Sequence, residues 1–82
     1  MSTGTQATNA RPTLALGSRG EDVAYLQRRL NFLISASLEV DGIFGPATEK
    51  AVKKFQESSG GLLDVDGIVG PLTWGELELI DI

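Results

Sequence analysis

Asp41 and Asp66 are the residues whose spacing most invites a chemical reading. Asp41-Gly42-Ile43-Phe44-Gly45-Pro46-Ala47-Thr48 returns twenty-five residues later as Asp66-Gly67-Ile68-Val69-Gly70-Pro71-Leu72-Thr73, with six identities in eight positions. Two carboxyls are all that glycoside hydrolysis requires, one as acid and the other as base or nucleophile. That chemistry also needs surroundings that push the two pKa values apart, and here the surroundings repeat. A structural task fits better: each Asp ties its turn to the start of the next helix, where negative charge meets the positive end of the dipole. Thr48 and Thr73 fall in the first turn of those helices. There they either bond back toward the preceding Asp or offer a hydroxyl to a ligand.

The other reactive side chains are few. Asp64-x-Asp66-Gly67 suggests a calcium loop, but starting at Asp64 puts Ile68 and Gly75 at the fifth and twelfth positions, where oxygen ligands are needed. With no cysteine and no histidine, the chain has no thiolate nucleophile, no soft metal site and no imidazole base. No cofactor, metal or catalytic residue is expected. The net charge of -4 opposes sequence-independent nucleic-acid binding, and Lys50, Lys53 and Lys54 read as a solvated strip. Trp74 stands where the first copy has Glu49. It belongs either to the core or to a surface that stacks on a ligand, and Tyr25 poses the same choice with an exposed face favoured.

Eighty-two residues allow one small core. No stretch reaches the roughly 20 apolar residues of a membrane span, and the first residues lack the pattern of a signal peptide. Residues 1–13 are rich in Ser, Thr, Gly, Asn and Gln and read as a flexible lead; residues 14–82 form the domain, with Leu14 and Leu16 capping the core edge. Ser18-Arg19-Gly20-Glu21 fits a capping box, which starts a helix of about four turns burying Val23, Leu26, Leu30, Leu33 and Ile34. Leu38 and Val40 form a short extended approach to the first Asp-Gly turn. A second helix starts at Gly45-Pro46, with Ala47, Ala51, Val52 and Phe55 buried, a Glu49–Lys53 pair on its surface, and Gly60-Gly61 as its stop. A third, short helix starts at Gly70-Pro71 with Leu72, Trp74, Leu77 and Ile80 as its apolar set; Gly75 weakens its interior. Val23-x-x-Leu26-Gln27 and Val52-x-x-Phe55-Gln56 place the same residue classes at the same offsets on the first two helices. The expected fold is all-α, a small three-helix bundle with a duplicated turn-helix unit.

These motifs together cover Leu14 to Leu79. The set comprises Leu14-x-Leu16-Gly17-x-x-Gly20-x-x-Val23-x-x-Leu26-Gln27-x-x-Leu30, the two Val-Asp-Gly-Ile-x-Gly-Pro-x-Thr turns, Ala51-Val52-x-x-Phe55-Gln56, and Trp74-x-x-Leu77. Their order and spacing resemble the peptidoglycan-binding domain found beside bacterial cell-wall hydrolases. The chain departs from that family's usual Leu-Gly-Tyr type of turn at Asn31–Ser37. The resemblance implies a non-catalytic module that holds a hydrolase, amidase or carboxypeptidase against the wall. It further implies a shallow groove for the peptide or glycan portion of peptidoglycan, placed by motif near Asp41, Phe44, Gly45, Thr48, Asp66, Gly70, Thr73 and Trp74. Its partners would be peptidoglycan and a hydrolase domain, with no nucleic acid and no membrane, and the module would act as a monomer outside the cytoplasm. A docking or prodomain-like module that binds another protein is the competing expectation.

Overall fold

The computed structural model describes residues 11–79, which form α1 (Glu21–Ile34), α2 (Pro46–Glu57) and α3 (Pro71–Leu77). Gly45 and Gly70 occupy the N-cap positions, and Pro46 and Pro71 open the helices. Proline suits that site because its φ is already helical and the amide it lacks would have had no intrahelical partner. α1 begins differently from the expected capping box. Gly20 is its N-cap and no side chain caps it, because the Ser18 hydroxyl faces the other way and accepts from the Ala15 amide at 3.0 Å.

The entry segment zips the two turns together. Leu14 exchanges backbone hydrogen bonds with Val69, at 3.0 and 2.8 Å. Three to six residues on, the Gly17 and Gly20 amides donate to the Phe44 and Gly42 carbonyls, and the Phe44 amide donates to the Ser18 carbonyl, each at 2.9 Å. A Cβ on Gly42 would lie 3.1 Å from the Gly20 carbonyl oxygen, and Gly42 has φ +72, so glycine is required there for two reasons.

Beneath the turns lies a core of Leu14, Val23, Leu26, Leu30, Phe44, Ala51, Val52, Val69, Trp74 and Leu77. Several expected core positions lie elsewhere. Leu16 is 56% exposed and Leu72 is 75% exposed. Leu72 turns outward because the adjacent Thr73 is held inward by a side-chain hydrogen bond from α2, which fixes the rotation of α3. Ala47 is exposed for the same reason in α2, with Thr48 buried in its place. Glu49 and Lys53 form no ion pair; their aliphatic stems instead cover Gly67 of the second turn. The expected role of Ile80 lies outside the described residues, as does the lead over residues 1–10. Arg11, assigned by sequence to that lead, is part of the fold. Its guanidinium bridges Asp22 and Glu78 at 3.0 Å each.

Candidate functional site

The two turns are held by two buried glutamines. Gln27 of α1, 1% exposed, accepts from the Gly42 amide at 2.9 Å and donates to Asp41 Oδ1, the Ile43 carbonyl and Thr48 Oγ1 at 3.0–3.1 Å. Gln56 of α2 repeats the arrangement on the Gly67 amide, Asp66 Oδ1, the Ile68 carbonyl and Thr73 Oγ1. One amide side chain thus satisfies a turn, a carboxylate and a helical hydroxyl at once. Asp41 and Asp66 also accept from the amides two residues on, Ile43 and Ile68, closing each turn locally. The aspartates are therefore tied to the preceding helix through glutamine. Sequence reasoning gave them to the following helix's dipole; the Gln at the end of each Val-x-x-x-Gln pattern was the signal for the actual partner.

An open groove of about 590 Å3 lies beside the first turn. Its walls are the segment from Ile34 to Glu39 with Asp41 and Ile43 on one side, and the α2 stripe of Ala47, Lys50, Ala51 and Lys54 on the other. Gln27, Gly45, Pro46 and Thr48 also line it. The irregular wall is held by Asn31 of α1, whose amide side chain donates to the Leu38 carbonyl at 2.9 Å and accepts from its amide. Ser35 and Ser37 in this wall have positive φ, 53° and 58°, a conformation costly for residues with a Cβ. Asp41 is exposed. The amide of Ile43, and after it the Gln27 side chain, hold its carboxyl below the ordinary value of 3.8.

Of the eight residues expected at a groove, Asp41, Gly45 and Thr48 line this one. Phe44 is 1% exposed and faces the core. Asp66, Gly70 and Thr73 build the second turn, away from the groove. Trp74 is 3% exposed, its indole N–H donates to the Pro12 carbonyl at 2.9 Å, and its ring stacks on Tyr25 with centroids 6.0 Å apart. The Arg11 guanidinium lies over the Tyr25 ring at 4.1 Å, and the Tyr25 hydroxyl donates to Glu78. The tyrosine is therefore half-buried in a packed cluster, contrary to the exposed face favoured by sequence. The groove residues that sequence reasoning did not assign to a site include Gln27, Ala36, Glu39, Lys50, Ala51 and Lys54.

A duplicated turn-helix scaffold with a lateral groove defines a small binding module. The chain belongs to the peptidoglycan binding domain family, whose sequence profile matches residues 19–77. It is 49% identical over 45 residues to an autolytic lysozyme of Clostridium acetobutylicum, a match spanning 54% of this chain and 14% of that protein. Among solved structures it resembles a Burkholderia AP3 phage endolysin, at 50% identity and TM-score 0.73, covering 80% of this chain and 24% of the endolysin. The N-terminal domain of SleB superposes with TM-score 0.76 at 40% identity, covering 83% of this chain and 90% of that domain. The chain thus corresponds to a small part of the larger hydrolases it matches and to nearly the whole of an isolated N-terminal domain.

Proposed function

We propose that this domain tethers an associated cell-wall hydrolase to peptidoglycan and performs no chemistry of its own, with the groove beside the first turn as its contact face. The observation that carries the reading is the groove itself, whose walls are set by Gln27 and Asn31. It pairs an apolar floor with exposed charges at its rim, the form of a recognition site. Asp41, Gly45 and Thr48 belong to the contact face in this proposal, while Phe44, Asp66, Gly70, Thr73 and Trp74 support it from the core and the second turn. The endolysin and autolytic lysozyme similarities support attachment to an enzyme that works outside the cytoplasm. Even a weak contact suffices for tethering, because it raises the local concentration of anything attached at an insoluble polymer. Purified insoluble peptidoglycan should sediment the chain. Sedimentation no greater than that of an unrelated acidic protein of the same size would refute the proposal, and release of soluble fragments from the wall would refute its non-catalytic part.

A further inference from the structure

The groove is polarised in charge. Glu39 and Asp41 stand on the turn side, whereas Lys50 and Lys54 project from α2. Among the described residues the ion pairs are those of Arg11 with Asp22 and Glu78, so neither lysine is paired with a carboxylate. Asp41 uses Oδ1 for its two internal hydrogen bonds. Four rim charges of two signs are therefore free to meet a ligand. Between them the lining is largely apolar, with Ala36, Ala47 and Ala51 beside Ile34, Leu38 and Ile43.

Lys50 and Lys54 stand one helical turn apart on α2, about 6 Å along the axis at its usual rise, and so present two positive charges on one side of the groove. We propose that the groove binds a peptide carrying charges of both signs, its ammonium group at Glu39 and Asp41 and its carboxylate at Lys50 and Lys54. This deepens the wall-binding reading and rests on it. It assigns recognition to an uncrosslinked peptide end of the wall, not to its glycan. A neutral sugar chain can hydrogen-bond these side chains but brings no opposite charge to pair with them.

The test is a 1H–15N titration of the full chain with trialanine in L and D forms, the C-terminal amide of trialanine, N-acetyl-trialanine, and a trimer of N-acetylglucosamine. At least one free tripeptide should move the amides of Ala47, Lys50 and Lys54, and blocking either end should weaken it about three- to tenfold, the scale of one or two exposed charge contacts. In the double variant Lys50→Ser, Lys54→Ser the free acid and the amide should bind alike. Both lysines are exposed, and a thermal melt checks that the variant folds. Equal binding of free and amidated peptide, or occupation of the groove by the sugar trimer, would overturn the proposal. Silence to every peptide while insoluble wall still sediments the chain would overturn it too, leaving the tether standing. Failure of sedimentation as well would remove both.

Discussion

At the scale of single residues, Gln27 and Gln56 matter more than the aspartates that first draw attention. Each buried amide replaces the water that a turn's donors and acceptors would otherwise need. Truncation leaves several of these groups buried and unsatisfied, at about 1–3 kcal/mol apiece. Gln27→Ala and Gln56→Ala should therefore each lower unfolding free energy by about 2–4 kcal/mol in urea titrations. Only Gln27→Ala should also reduce wall sedimentation when both variants are compared while folded, since only Gln27 lines the groove. Asp41 gives a pH signature. Its folded pKa is depressed, so its contribution is present above the ordinary value of 3.8 and is lost as pH falls through the folded value. Melting temperature followed from pH 7 to below pH 3 should fall less in Asp41→Asn than in the parent, because asparagine keeps an acceptor oxygen without the titration.

At the scale of elements, the Gly-Pro starts of α2 and α3 were legible because proline and glycine act through the local backbone. The rotation of those helices was not. Ala47 and Leu72 occupy positions that hydrophobic spacing assigns to the core, yet a buried Thr one residue on in each helix, bonded to glutamine, turns them outward. Hydrogen-bond satisfaction overrides a modest apolar preference when the alternative is an orphaned buried hydroxyl. The stretch after α1 shows the converse. Ser35 caps α1 in the left-handed region, where glycine is the usual occupant. Ser35→Gly should therefore raise stability by about 1 kcal/mol in thermal or urea unfolding. A loss instead would mean that the Ser35 side chain contributes to the groove wall more than its strained backbone costs.

At the scale of the whole molecule, the entry segment makes one unit of two turns. Arg11 reaches from it to α1 and to Glu78 just beyond α3, stacking on Tyr25 as it passes. Its ion pairs are half-exposed and individually weak; the cation over the ring adds about 0.5–1 kcal/mol. Arg11→Ala should cost about 1 kcal/mol, or about 4–8 °C in melting temperature for a domain this size. Trp74 reports the same junction: its emission should be blue-shifted in the parent and unresponsive to trialanine, because the ring is enclosed by Tyr25 and the entry segment. Arg29 completes the closure by donating twice to the Leu77 carbonyl, at 3.1 and 2.7 Å, at the C-terminal end of α3.

By itself the sequence determined the helix count, the positions of both Gly-Pro starts, the apolar face of α1 and the family. These follow from local backbone preferences, periodicity and a repeated motif, all of which are carried by neighbours in the chain. The tertiary structure decided the rest. Gln27 reaches across fourteen residues to Asp41, Arg11 across sixty-seven to Glu78, and Leu14 pairs with Val69. The groove exists because a loop pinned by Asn31 faces a stripe of α2 that the buried Thr48 had turned outward. No short-range rule encodes that meeting. It depends on which buried polar groups find partners once the helices pack.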